Sequence, residues 1–177
     1  MIDEIRELFD KIDSQRASLL EVLSGISDEE ATIQPKEKGT GEEGDGWSVK
    51  QQIAHLIHAE PTWIEWADNI LSNPGAIVGQ EPVENGDSQI FLNDLDIAND
   101  HPLQFWIDKL NQNRLDNIKL IESMNLDSQE KILSAGKHRI FGDMNVIQFL
   151  RAIYRHDRMH LDQILGNEQS FILKRRT

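Results

Sequence analysis

Cysteine is absent from the 177 residues. That absence excludes a disulfide framework, a cysteine zinc site, an iron–sulfur cluster and a thiol nucleophile supplied by the chain. Any metal must be held by His, Asp, Glu or water. Basic residues are scarce: 18 Lys+Arg stand against 31 Asp+Glu, for a net charge of −13, and the pI is about 4.8. A field this negative repels phosphate backbones, so neither nucleic acid nor an anionic membrane is an expected partner. No stretch reaches the roughly 18 apolar residues of a membrane span. The first residues, Met1 to Glu7, are charged from the third position and show no apolar signal region. A soluble, cytoplasmic protein is expected. Hydrophobic residues make up 38% of the chain and mean hydropathy is −0.50, which suits a helical domain with a well-solvated outside. The length predicts one domain over residues 1–177, able to bury about 70% of its unfolded surface.

Four long segments carry helical periodicity. The first runs from Asp3 to Ser24, with Ile5, Leu8, Phe9, Ile12, Leu19, Leu20 and Leu23 on one stripe and Gly25 as its stop. Ser27 to Glu30 has the spacing of a capping box. The second runs from Val49 to Leu71, capped by Ser48, with Pro61 inside it. That proline is expected to bend the helix or free a carbonyl near Ile57. Asn73-Pro74-Gly75 ends it. The third runs from His101 to Met124, capped by Asn99 or Asp100, with Pro102 in its first turn. Its apolar face is Leu103, Trp106, Ile107, Leu110, Ile118 and Ile121. The fourth runs from Asp143 or Met144 to Leu165 and closes at Gly166. Residues 125–142 form a loop with a short hairpin expected near Gly136-Lys137-His138. Ile77-Val78 and residues 138–141 are the two strand candidates. The pattern predicts an all-α four-helix bundle. The connection from Asn73 to Ala98 is longer than the ~2–8 residues common between bundle helices. It is long enough to cross the bundle, so the second and third helices are expected to run parallel.

Pro35 to Gly46 reads as a mobile loop. It contains Gly39-Thr40-Gly41-Glu42-Glu43-Gly44, but no strand precedes these glycines and two glutamates would face a pyrophosphate, so nucleotide binding is rejected. The tail around Lys174-Arg175-Arg176 reads as loose.

The six histidines separate by helical phase. On a wheel of ~100° per residue, Val146, Phe149, Leu150, Ile153 and Ile164 define the inward stripe of the fourth helix. His156 and His160 fall inside it, one turn apart, where two imidazoles can chelate one ion. Each buried imidazole would otherwise need its own polar partner, because an unpartnered one costs a few kcal/mol; a shared metal satisfies both. The second helix offers a third ligand. His55 lies at the edge of the stripe Val49, Ile53, Leu56, Trp63, Ala67 and Ile70, whereas His58 lies near the polar side. His101 and His138 are expected at the surface. Imidazole suits zinc, nickel, iron or copper. Asp157 falls close to the stripe and can orient a ligand, act as a general base, or pair with an arginine. Tyr154, the single tyrosine, flanks the stripe; its candidate roles are donor to a metal-bound species and wall residue. Trp63 and Trp66 are candidate walls of an apolar pocket.

Trp47-Ser48-Val49-Lys50-Gln51-Gln52-Ile53-Ala54-His55-Leu56 resembles the start of the second helix in the DinB-like superfamily. His156-Asp157-Arg158-Met159-His160-Leu161-Asp162-Gln163-Ile164 resembles its fourth-helix signature. The resemblance implies an up-down-down-up bundle, a divalent metal held by His55, His156 and His160, and a homodimer. Similar members include bacillithiol- and mycothiol-dependent S-transferases and a thiol-dependent isomerase. The leading expectation is therefore a metal-dependent enzyme of thiol S-transferase type, with Asp157 and Tyr154 as candidate catalytic residues. Without cysteine in the chain, the thiol must arrive on a small cosubstrate. The alternatives are a non-catalytic metal-binding or stress-related bundle and a metal-dependent hydrolase.

Overall fold

Helix α1 (Asp3–Ser24) lays Ile5, Leu8, Ile12, Arg16, Leu19 and Leu23 into the interior, one every three or four residues. The computed structural model describes residues 1–35, 44, 46–79 and 96–170. Helix α2 (Val49–Ser72) starts on the expected capping box: Ser48 accepts from the Gln51 amide, and Gln51 reaches back to the Ser48 amide. Pro61 sits inside it. The carbonyl it frees, that of Ile57, accepts a 2.9 Å hydrogen bond from the Asn113 side chain. Helix α3 (Leu103–Ser123) begins two residues later than expected, with Pro102 at the N-cap position and no cap from Asn99 or Asp100. Asp28 serves instead: its carboxylate accepts from the Leu103 amide at 2.6 Å and from Lys50 at 3.0 Å. The backbone bond first, and the lysine second, hold its carboxyl below the usual range. A non-local cap of this kind has no local sequence signature. After the short helix α4 (Gln129–Leu133) comes α5 (Val146–Leu165), which opens on an Asn145/Gln148 capping box and ends at Gly166 in the left-handed conformation that glycine tolerates.

Side-chain pairings fix the helix directions. Gln52 meets His160 and Trp63 meets Phe149, so α2 and α5 are antiparallel. Glu4 meets Arg151 and Arg16 meets Asp157, so α1 and α5 are parallel. Ile57 meets Asn113 and Glu60 meets Arg114, so α2 and α3 are parallel. In chain order the four long helices run up, down, down, up. The chain must therefore return the length of the bundle between α2 and α3; residues 80–95 of that connection lie outside the described residues, as do residues 36–43 and 45 of the loop and the basic tail.

A three-stranded sheet accompanies the bundle, in the order β1 (Ile77–Val78), β2 (Ala135–His138), β3 (Gly142–Asn145). β1 and β2 pair in parallel, with Val78 opposite His138. β2 and β3 form the expected hairpin, with Ala135 opposite Asn145. Residues 139–141, expected as part of a strand, form its turn.

That turn explains a correction. His138 is buried, not at the surface. Its Nδ1 accepts from the Ile140 and Phe141 amides at 3.1 and 3.2 Å. Its ring lies among Trp63, Trp66, Phe141 and Phe149. A ring nitrogen that accepts two amide hydrogens has no room for a proton of its own. Burial holds the pKa down, to about 4 against an ordinary 6.5. His101 is half-buried and stacks on Phe105 at 4.3 Å between ring centroids.

The unfolded chain protonates His138 near its ordinary pKa, and the folded chain does so near pH 4. Stability is thus retained above pH 6.5 and lost progressively as pH falls towards 4. In His138→Phe, urea titrations across this window should give a shallower dependence of unfolding free energy on pH. An unchanged slope would contradict the assignment.

Candidate metal centre

His55 on α2 and His156 and His160 on α5 converge in the interior. Their residues are 2%, 3% and 0% exposed. The antiparallel crossing of α2 and α5 carries His55 to the level of His156, and the i, i+4 spacing stacks His160 one turn further on. His55 Nε2 lies 3.2 Å from His156 Nε2, and His160 Nε2 lies 3.0 Å from His156 Nε2. One nitrogen from each ring falls within 4.8 Å of the other two. Ligand nitrogens 2.0–2.1 Å from an ion sit about 3.0 Å apart at right angles and about 3.4 Å apart in a tetrahedron. The observed spacings lie in that range. Among the described residues no carboxylate joins the three nitrogens as a fourth member of the cluster. Three neutral donors at these spacings fit a divalent ion and leave its charge uncompensated.

Several neighbours shape the site, and the sequence pointed to few of them. Trp47 lies nearly parallel to the His160 ring, 6.3 Å away and tilted by 7°, and edge-on to His55 at 5.2 Å. Gly44 lies directly against the same imidazole. With φ of +89°, it occupies the left-handed region, and a Cβ there would fall 2.6 Å from Gln163 Oε1 and 3.0 Å from His160 Cε1. The last glycine of the Gly39–Gly44 run thus packs on His160; residues 39–43 lie outside the described residues. Gln52 Oε1 lies 3.0 Å from His160 Nδ1. Trp63 and Trp66, expected near the metal level, pack instead on His138. Trp63 is eight residues beyond His55, about 12 Å along the helix.

Asp157 is not a member of the three-histidine cluster, and both candidate catalytic residues make contacts of their own. Asp157 is tied to Arg16, whose Nε and Nη2 reach its Oδ2 at 3.0 and 2.9 Å. Tyr154 lies with Arg158 on the face of α5 towards α1, lining an open groove of about 630 Å³ with Glu7, Asp10 and Lys11. His58 is half-buried.

Asp157 belongs to a buried charge network with one member from each long helix. Arg16 Nη2 also reaches Glu60 at 3.1 Å, and Arg114 reaches the other Glu60 oxygen at 3.4 Å and Asp13 at 2.7 Å. Arg16, Glu60, Arg114 and Asp157 are 4%, 2%, 6% and 1% exposed. Burial works against the Arg16 charge, but Asp157 and Glu60 outweigh it and raise its pKa. Burial is the largest influence on Glu60 and pushes its carboxyl up. A sequence signal for this network existed. Each of the four residues sits in phase with the apolar stripe of its helix, Arg16 between Ile12 and Leu19, for example.

A helical bundle with a buried three-imidazole centre between antiparallel helices defines the class. The chain belongs to the DinB superfamily, whose family model matches residues 11–164. Among solved structures it is similar to YfiT from Bacillus subtilis, described as a probable metal-dependent hydrolase with an unusual four-helix bundle topology. The TM-score is 0.68 at 11% identity, covering 94% of this chain and 87% of that one. No curated protein matches the chain significantly. Among the described residues, no helix is long and apolar enough to cross a membrane.

Removing one partner from a buried ion pair strands the other charge, at a cost of about 3–5 kcal/mol. Arg16→Met leaves Asp157 without its arginine and Glu60 with Arg114 alone. Urea unfolding should show a loss of that size, whereas Asp3→Ala, which breaks the exposed pair with Arg6, should leave the midpoint unchanged. Equal effects would refute the structural role of the network.

Proposed function

We propose that the protein is a divalent-metal-dependent enzyme whose ion is held by His55, His156 and His160. The observation that carries this reading is the convergence of three buried imidazole nitrogens, with short contacts of 3.0 and 3.2 Å. When bound, the ion supplies a Lewis acid that lowers the pKa of a coordinated thiol or water. The chain supplies neutral donors and no thiol. The buried carboxylates Asp157, Glu60 and Asp162 are each engaged by an arginine.

The reaction that needs least from such a chain is attack by a sulfur nucleophile brought in on a small thiol. A thiol ionises far more readily than water, so it depends less on a protein base. Thiol S-transfer is therefore the leading reading, with a low-molecular-weight thiol and an electrophile as substrates. Hydrolysis is the second reading, favoured by the description of the similar bundle from Bacillus subtilis. A homodimer remains part of the proposal.

Purified protein should contain close to one equivalent of a divalent metal per chain by elemental analysis. His156→Ala and His160→Ala should each lose it while keeping helical circular dichroism. Unchanged metal content in both variants would overturn the reading. The metal-loaded protein, incubated with small thiols and electrophiles or with ester and amide substrates, should turn over one set and stop on chelation. A large drop in Tm on chelation without any turnover would assign the ion a structural role instead.

A further inference from the structure

We infer that Gln52 is a positioning residue for His160, selecting the imidazole tautomer that presents Nε2 as a lone pair to the centre of the site. This inference rests on the metal reading above for its purpose, but on the ion-free chain for its geometry. Gln52 is buried and lies three residues before His55 on α2, so the same helical face carries both side chains towards α5. Its Oε1 lies 3.0 Å from His160 Nδ1. An amide oxygen only accepts, so the hydrogen in this contact belongs to Nδ1. A neutral imidazole carries one such hydrogen. His160 Nε2 is therefore left bare, and it is the atom that lies 3.0 Å from His156 Nε2.

The surroundings keep the ring in this pose. Trp47 lies parallel to it with 6.3 Å between centroids, and Gly44 sits against Cε1 and Nδ1 with no space for a side chain. What remains to be fixed is which nitrogen holds the proton, and Gln52 fixes that. Turning the amide over would set a donor against Nδ1 and drive the proton to Nε2, where it would point at His156. A metal ligand needs the first arrangement. A partner that orients and polarises a ligand histidine changes metal affinity by about 10–100-fold.

The test uses full-length protein, zinc as the probe and imidazole nitrogen-15 shifts as the readout. In the metal-free wild type, His160 should carry its proton on Nδ1. In Gln52→Leu, it should become a mixture of tautomers, and zinc affinity measured by chelator competition should fall by about 10–100-fold. Gln52→Glu keeps an acceptor at this place and should hold zinc at least as tightly as the wild type. A wild-type His160 protonated on Nε2, or a folded Gln52→Leu that binds zinc with unchanged affinity and tautomer, would overturn the inference. If Gln52→Leu does not fold, the wild-type tautomer and the Gln52→Glu affinity decide it. A wild type that takes up no zinc but shows the Nδ1 proton would refute the metal reading while leaving the role of Gln52 intact.

Discussion

A layer of buried charge divides the apolar interior of the bundle into two parts, and the rest of the structure is arranged around it. One part gathers Ile5, Leu8, Ile12, Trp63, Ile121, Phe149 and Ile153. The other gathers Leu19, Leu23, Ile53, Trp106, Leu110 and Leu161. Arg16, Glu60, Arg114 and Asp157 lie between them in sequence on every long helix. Apolar packing alone tolerates sliding, because one leucine substitutes for another at modest cost. Directional ion pairs do not. Shifting α2 along α5 by one turn would move Glu60 by about 5.4 Å and separate it from Arg16, stranding charge in a low-dielectric interior. The network thus sets helix register more than it adds to stability.

That register is what assembles the imidazole cluster. Asp157 follows His156 directly on α5, and Glu60 lies five residues after His55 on α2. Arg16 bridges Asp157 and Glu60, so it fixes the relative height of the two helices close to the histidines. Two cations and two anions leave this buried quartet neutral in sum, with Asp13 at its exposed rim beside Arg114. A divalent ion held by the three imidazoles would therefore meet no net cationic charge from the quartet. The pronounced acidity of the chain plays a different part and does not enter this arrangement.

Local signals in the sequence carried far, and non-local ones did not. The α1 and α2 boundaries, the Ser48/Gln51 capping box and the carbonyl freed by Pro61 are consequences of residues close in the chain. So is the inward phase of His156 and His160. The last helix, by contrast, starts later than expected because Asp143 and Met144 pair in β3. The third helix began later than expected because its first amide is capped by Asp28, some 75 residues earlier. His138 looked like a loop residue because its burial depends on tryptophans from α2. The charge network was written into the helical stripes, with a charged residue breaking each. A single helix, however, does not reveal which partner will meet it across the bundle.

The covering of the site follows a different logic from its floor. The floor is three histidines and a glutamine on two regular helices, where spacing dictates geometry. The cover is Gly44 and Trp47, which precede the first turn of α2 and reach His160 from outside the helical lattice. Helical periodicity says nothing about such residues, which is why Trp63 and Trp66 seemed the better wall. The superfamily match and the shared bundle at 11% identity show how little of the interior must be kept for the fold to persist. A fold that tolerates so much change leaves the residues that lie over the ligands free to differ. In this chain those residues are a glycine that admits the loop to within contact of an imidazole and an indole that lies parallel to it.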